Sequence, residues 1–143
     1  MKRNLLLISV ILGCSCNASK EATQTTTYQP PLAYKQWTLD KIPNFELEDL
    51  TRLPVIEFND SAKRVSGFSG CNGFGGNYKV SRNKQLNFVD IISTQMACQP
   101  GSRTEQKVFS AIDVVDNYEV KGNFLYLKQG NDTLLIYKKS DVK

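Results

Sequence analysis

Apolar and polar positions alternate in short segments through most of the chain, and this alternation predicts a domain built mainly from β-strands. Clusters of turn-forming residues such as Asn59-Asp60-Ser61 and Gly130-Asn131-Asp132 separate the segments. The predicted strands occupy residues 36–39, 53–58, 64–68, 76–81, 85–89, 118–120, 124–128 and 133–138. Short strands at this spacing predict a small antiparallel sheet that curls into a barrel-like shape.

One segment has a helical pattern instead. Ser102-Arg103-Thr104-Glu105 has the form of a capping box, in which Ser102 caps the amide three residues on and Glu105 reaches back. Apolar side chains then recur at helical spacing, at Val108, Phe109, Ala111, Ile112 and Val115. We expect one helix near residues 103–116 that packs this stripe against the sheet, which makes the predicted fold class α+β. A partner-binding helix is the alternative interpretation of the stripe.

The first residues have the layout of an export signal. Lys2 and Arg3 precede an apolar run from Leu5 to Leu12 that only Ser9 interrupts. The run is far shorter than the roughly 20 residues that a membrane-spanning helix needs. Residues 1–13 are therefore predicted to be a signal peptide that is removed during export.

The end of this signal, Ile11-Leu12-Gly13-Cys14, resembles a bacterial lipobox. In signals of that kind cleavage falls before the cysteine, which then carries a diacylglyceryl group and usually an N-acyl chain. The resemblance implies that Cys14 is the first residue of a lipid-anchored protein of the bacterial cell envelope, with the outer membrane as the expected destination. Lipidation of Cys16 and an ordinary signal peptide are the two alternatives.

The composition of residues 14–33 predicts a disordered tether, which connects this anchor to a folded domain at residues 34–139. The tether is rich in threonine and proline and has almost no aliphatic side chains, so it cannot bury enough apolar surface to offset its ordering entropy. Cys16 has no obvious partner within the tether. It is interpreted as a spare thiol beside the lipid, with an intermolecular bridge as the alternative.

The composition excludes several classes of function. The 143 residues include no histidine, which excludes Ser-His-Asp and Cys-His catalysis and His-ligated zinc. The formal charge of +4 comes from 18 basic and 14 acidic residues, and two of the basic ones leave with the signal peptide. Basic residues occur at most in pairs such as Lys63-Arg64, so no nucleic-acid partner is expected.

Cys71 and Cys98 are the cysteines that remain in the domain. An exported chain enters an oxidising compartment, where paired cysteines usually bridge, and we predict a Cys71–Cys98 disulfide. A close but reduced pair is the alternative. A catalytic thiol would have no histidine to lower its pKa, and two thiolates alone make a poor zinc site.

Residues 67–76 are rich in glycine, as phosphate-binding loops are. They lack the Gly-Lys-Ser/Thr ending and the strand-to-helix context of such loops. Phe68 and Phe74 indicate instead a tightly turning backbone that directs aromatic rings to opposite sides. No nucleotide or other cofactor is therefore expected.

Two motifs together resemble the META domain, also called the HslJ-like domain. They are Gly70-Cys71-Asn72 and Thr94-Gln95-Met96-Ala97-Cys98. Further matching positions are Trp37-Thr38-Leu39, Val65-Ser66-Gly67, Phe74, Gly76, Tyr78, Leu86-Asn87-Phe88, Glu105, Phe109, Tyr118, Gly122, Leu125, Leu127 and Leu134. The resemblance runs from about Tyr34 to Tyr137, and it departs from the family at Ile112, where leucine is more usual.

This resemblance implies a curled antiparallel sheet with one helix. It also implies structural roles for the motif residues Gly70, Cys71, Asn72, Thr94, Met96, Ala97 and Cys98, and it transfers no catalytic or metal-binding residue. Members of the family are typically exported envelope proteins or lipoproteins, and the bacterial namesake is linked to heat shock and to tolerance of novobiocin.

From these observations we expect a non-catalytic, lipid-anchored envelope protein with a binding role in envelope stress or drug tolerance. Its expected partners are the membrane, through the N-terminal lipid, and an envelope protein or a lipid ligand. One alternative is a pilotin-like assembly factor that grips an apolar peptide or lipid in a cleft between helix and sheet. The other is a thiol oxidoreductase that uses Cys71 and Cys98.

Overall fold

The computed structural model describes Leu32 and residues 36–140. The strands are β1 (Trp37–Lys41), β2 (Val55–Asn59), β3 (Arg64–Phe68), β4 (Gly73–Val80), β5 (Leu86–Ser93), β6 (Asn117–Lys121), β7 (Phe124–Gln129) and β8 (Asp132–Lys139). Helix α1 (Ser102–Val114) lies between β5 and β6 in the chain. Within this described part of the chain, no helix has the length and apolar character needed to cross a membrane.

All these strands join one antiparallel sheet in the order β5-β4-β3-β2-β1-β8-β7-β6. The two outermost strands approach each other where they begin. Gln85 and Asn117 form a β-bridge, and the Leu86 amide donates to the Asp116 carbonyl at 3.0 Å. The sheet therefore curls back on itself, which confirms the predicted α+β fold with a curled antiparallel sheet and one helix.

The inner face of the curled sheet and the apolar stripe of α1 form a single hydrophobic core. Trp37 and Tyr137 contribute fully buried rings from the sheet, and Val108 and Ile112 are buried on the helix. Burial of these large side chains is the main favourable contribution to folding. The helical stripe is therefore part of the core and is not available to a partner.

The glycine-rich segment contains the end of β3, a turn at residues 69–72 and the start of β4, so its backbone turns as the sequence predicts. β4 begins at Gly73 rather than at residue 76, and its register with β3 places Phe68 and Phe74 on opposite faces of the sheet. β5 continues to Ser93 instead of ending at residue 89. A bulge within β5 shifts the phase of its apolar alternation, so the sequence pattern does not reveal the second half of the strand.

At this bulge two residues of β5, Asp90 and Ile91, lie opposite the single residue Gly76 of β4. A Cβ atom on Gly76 would lie 2.6 Å from Ile91 Cδ1 and 2.8 Å from the Asp90 carbonyl oxygen, so a larger residue does not fit there. Asp90 adopts a φ of 54° and is exposed at the edge of the sheet. The bulge thereby places a carboxylate beside the outer face of β4.

The packed part of the chain begins earlier than the sequence predicts. Leu32, which falls within the predicted tether at residues 14–33, is buried in the core. The Trp37 indole donates a hydrogen bond from Nε1 to the Leu32 carbonyl at 3.0 Å. The predicted signal peptide at residues 1–13, Cys14, Cys16 and every other tether residue except Leu32 lie outside the described residues.

The capping box predicted at the start of α1 is wrong. Gly101, with a φ of 123°, occupies the N-cap position without a side-chain hydrogen bond, and Ser102 is already helical. The amide of Thr104 instead donates to the Glu48 carboxylate at 2.6 Å. A residue from the segment between β1 and β2 therefore caps α1, and the spacing within the helix cannot reveal such a distant partner.

We predict that Glu48 makes the stability of the protein depend on pH. The hydrogen bond from the Thr104 amide lowers the pKa of the Glu48 carboxyl below its ordinary value of 4.5. The resulting stabilisation is present above the unfolded-state pKa and is lost as the pH falls through the lower folded-state pKa. Glu48→Gln should therefore lower the urea midpoint at pH 7, and the difference from wild type should shrink at about pH 3.

Asp49→Asn is the matched control for this measurement, because Asp49 is the exposed neighbour of Glu48. Its urea midpoint should follow that of the wild type at both pH values. An equal deficit of Glu48→Gln at pH 7 and at acidic pH would contradict the assigned role of the carboxylate.

Candidate functional site

The two sequence motifs meet at the N-terminus of α1. Gly70-Cys71-Asn72 follows β3, and Thr94–Cys98 follows β5. Because β4 pairs with both β3 and β5, the ends of these strands lie close together. We call the residues that interact there the motif cluster: Ser69, Cys71, Asn72, Thr94, Met96, Cys98 and Glu105.

The side chain of Asn72 is the centre of the motif cluster and is only 2 % exposed. Its Oδ1 accepts hydrogen bonds from Thr94 Oγ1 at 2.8 Å and from the Met96 amide at 2.7 Å. Its Nδ2 donates to the Met96 carbonyl at 3.1 Å and to Glu105 Oε1 at 3.0 Å. One buried amide therefore joins both motifs to the helix.

Glu105 belongs to this network and not to a capping box with Ser102. Its Oε2 accepts a hydrogen bond from the Asn72 amide at 2.9 Å and lies within hydrogen-bond distance of Ser69 Oγ. Ser69 is itself fully buried, and its amide donates to the Asn72 carbonyl at 2.9 Å. The carboxylate thus holds the loop from Ser69 to Asn72 against the first turn of α1.

A disulfide joins the same two motifs covalently. Cys71 and Cys98 are bonded, with a Cα–Cα distance of 5.6 Å, in agreement with the bridge predicted from the sequence. The bond closes a loop with a sequence separation of 27 residues, for which the chain-entropy relation gives about 3.5 kcal/mol of stabilisation. Cys71 is 4 % exposed.

Two glycines let the chain segments of the cluster approach each other. Gly70 and Gly101 have φ values of 112° and 123°, which side-chain-bearing residues rarely adopt. A Cβ atom on Gly101 would collide with the backbone of Gly70. These two glycines therefore allow the loop after β3 to pass close to the start of α1.

The motif cluster satisfies its own polar groups. The polar side-chain atoms of Asn72 are bonded within the protein, and the sulfur atoms form a disulfide. The motifs also present to solvent the 62 % exposed side chain of Met96 and the exposed residues Thr94, Gln95 and Ala97. This arrangement suits a structural clamp, because a reacting group needs an available donor, acceptor or nucleophile.

A second feature lies on the outer face of β3, β4 and β5, where a shallow depression has a volume of about 490 Å³. We call it the outer depression. Gly73 and Gly75 of β4 form its floor, and its sides are lined by Arg64, Asp90 and Ile92. Ile92 is an exposed aliphatic side chain, with 74 % of its surface accessible.

The glycines of the floor are not required by packing. A Cβ atom on Gly75 would meet no atom closer than 3.7 Å, and one on Gly73 none closer than 3.8 Å. Side chains would fit at both positions and would fill the outer depression. Glycine inside a strand lowers its stability, and it often marks a place where another group approaches the backbone closely.

The two charged side chains of the outer depression are exposed and available to a partner. Within the part of the chain that the structure describes, neither Arg64 nor Asp90 has an ion-pair partner. The same described residues contain no group of three or more Cys, Asp or Glu side chains that could hold a metal ion.

Several residues of both features are missing from the sequence-based prediction. The motifs indicated Asn72, Thr94, Met96 and the two cysteines, but Ser69 has no recognisable pattern. The outer depression also was not predicted. The alternation of Gly73, Gly75 and Asn77 with Phe74 and Tyr78 is a period-two signal that places the glycines on one face.

Residues 30–141 match the family model described as the META domain. No curated protein matches the chain.

Solved structures have the same fold. An NMR structure of a protein from Burkholderia xenovorans has a TM-score of 0.59 at 23% identity, with 76% of this chain and 83% of that chain covered. Another NMR structure has a TM-score of 0.61 at 26% identity, with coverage of 77% and 92%. A crystal structure of a DUF4847 family protein from Bacteroides vulgatus has a TM-score of 0.56 at 15% identity, with coverage of 78% and 96%.

We predict that Asn72→Ala destabilises the protein by about 3 kcal/mol, because it removes the side-chain partner of the Met96 amide and of Glu105 Oε1. Urea denaturation measures the loss. Asn77→Ala is the control, since Asn77 is exposed on β4, the strand that follows Asn72. It should change the free energy of unfolding by less than about 0.5 kcal/mol. Equal effects of the two substitutions would contradict the central role of Asn72.

Proposed function

The chain belongs to the META domain family, and from that premise we propose that it is a non-catalytic envelope protein, anchored by a lipid on Cys14, that supports tolerance of envelope stress or drugs. It acts by binding an envelope partner, a protein or a lipid, at the outer depression. The observation that carries the proposal is the contrast between the two features of the domain. The polar groups of the motif cluster bond to each other. The outer depression instead has exposed charged side chains and free space above the glycines of β4.

The absence of histidine from the sequence supports a non-catalytic role. A thiol oxidoreductase would need an accessible cysteine with a depressed pKa. Cys71 is buried and bonded to Cys98, which is half-buried. The pair is thus better suited to a structural disulfide than to thiol–disulfide exchange.

The interior of the domain gives no support to the pilotin-like alternative. That alternative needs a continuous apolar cleft between helix and sheet. Val108 of α1 and Leu125, Leu127 and Leu135 of the sheet are fully buried in one cluster. An apolar tail would have to displace this core, so a surface site is the better candidate for binding.

The lipid anchor rests on the sequence Ile11-Leu12-Gly13-Cys14 and on the charged and apolar segment before it. Several acyl chains on one cysteine would give stable attachment, because each buried methylene contributes about 0.8 kcal/mol. The segment from residue 15 to residue 31 would then connect the anchor to the packed domain.

We predict that Cys14→Ser releases the protein from the membrane fraction of its native host. Cys16→Ser is the matched control, and it should remain with the membranes because the acylated residue is unchanged. Fractionation followed by immunoblotting measures the distribution, and the intact mass of the purified protein reports the acyl groups. A mass without acyl groups on the wild-type protein would contradict the anchor.

We predict that the outer depression is needed for the cellular role. Deletion of the gene should increase sensitivity to novobiocin and envelope stress, and the wild-type gene should restore tolerance. Gly75→Gln should fail to restore it, because the new side chain fills the depression. Lys138→Gln, at an exposed side chain of β8, should restore it. Unchanged sensitivity of the deletion strain, or full restoration by Gly75→Gln, would contradict the proposed function.

A further inference from the structure

We propose that the outer depression is the contact face of a symmetric homodimer, in which a second copy of this chain occupies it. The inference rests on the proposed binding role of the outer depression and names the partner at that site. Two observations carry it, namely the placement of the two charges and the placement of Ile92 beside the glycine floor.

The charges lie on opposite sides of β4 at the same level along the strand. Arg64 of β3 pairs with Asn77 of β4, and Asn77 pairs with Val89 of β5. Asp90 follows Val89 directly at the bulge. A basic side chain and an acidic side chain therefore flank Asn77, and both line the outer depression.

A two-fold axis parallel to β4, lying between two facing copies, makes this face complementary to itself. Such a rotation exchanges the β3 side with the β5 side and keeps the level along the strand. Arg64 of one copy then faces Asp90 of the other copy, and the reverse pair forms at the same time. A symmetric interface requires a surface that carries both members of each contact, and this face does.

The shapes also complement each other under the same rotation. Gly75 pairs with Ser66 on one side and with the exposed Ile92 on the other. The rotation places Ile92 of each copy over Ser66 of its partner, next to a strand whose glycines leave space. An aliphatic side chain that is exposed in one copy thus becomes covered by the small residues of the other.

The rotation is compatible with attachment to one membrane. Because the axis runs along β4, it preserves direction along that strand. The first strand, which follows the predicted anchor and tether, therefore begins at the same end of both copies. Two lipid anchors on Cys14 could enter a single membrane surface without strain on either tether.

The test measures the mass in solution of the mature chain, residues 14–143, with Cys14→Ser and Cys16→Ser to prevent bridging by these thiols. Sedimentation equilibrium should show a dimer for this protein. Arg64→Glu alone, and Asp90→Lys alone, should each weaken dimerisation by about 100-fold, because like charges then face each other. The combination of both substitutions exchanges the charges and should restore the dimer.

Asp90→Lys is acceptable at this backbone position, since Lys63 and Lys84 of the same chain adopt φ values of 52° and 63°. Gly75→Gln should also produce a monomer without a lower melting temperature, because its side chain has space in the monomer. Lys138→Glu, at an exposed side chain of β8, is the control and should leave the dimer intact.

A monomeric wild type at about 100 µM, a range in which a specific dimer would be populated, would overturn the homodimer. A dimer that persists in Arg64→Glu, or that the charge exchange fails to restore, would overturn this interface. If the wild type is monomeric while Gly75→Gln still fails to restore tolerance in the deletion strain, the homodimer is wrong and the proposed function stands. If the chain dimerises through this face but the deletion has no phenotype, the homodimer stands and the proposed function is wrong.

Discussion

The arrangement of the chain segments around the start of α1 depends on the hydrogen bonds that one buried side-chain amide requires. Asn72 lies in the interior, where its donors and acceptors would be costly if unpaired. Met96 and Glu105 meet that requirement from a different loop and from the helix. Because these partners come from distant parts of the chain, satisfying one amide fixes how the β3–β4 loop, the β5–α1 segment and the helix are arranged. The disulfide then joins two of these segments covalently.

The glycines of β4 serve the two faces of the sheet differently. On the inner side, Gly76 lies against the bulge of β5, where a larger residue would collide with the strand backbone. On the outer side, Gly73 and Gly75 have space for a side chain, and its absence leaves this face of β4 uncovered. The first arrangement directs Asp90 toward the outer face, and the second leaves a depression beside it. A constraint of the fold and a candidate binding surface thus arise from neighbouring residues of one strand.

The assignment of residues to roles follows from this separation. The sequence motifs that identify the family form a structural cluster whose polar groups are occupied. The candidate binding surface consists mainly of residues outside the two motifs, such as Arg64, Gly75, Asp90 and Ile92, and Thr94 is the motif residue that also lines it. A motif that is specific for a family is therefore not the place to look for a partner here. The surface that the fold leaves open is the better guide.

The sequence by itself determined the fold class, the helix and most strands, because apolar periodicity reports directly which face of each element is buried. It also indicated the Cys71–Cys98 bridge, since paired cysteines usually form a disulfide in a chain with a predicted export signal. It could not determine the partner of Glu105, because local spacing favoured Ser102 whereas the buried Asn72 makes the bond in the folded chain. Nor could it show that Glu48 caps the helix, that Leu32 joins the core or that β5 continues past its bulge. These features depend on contacts between residues far apart in the chain, and only the tertiary structure brings such residues together.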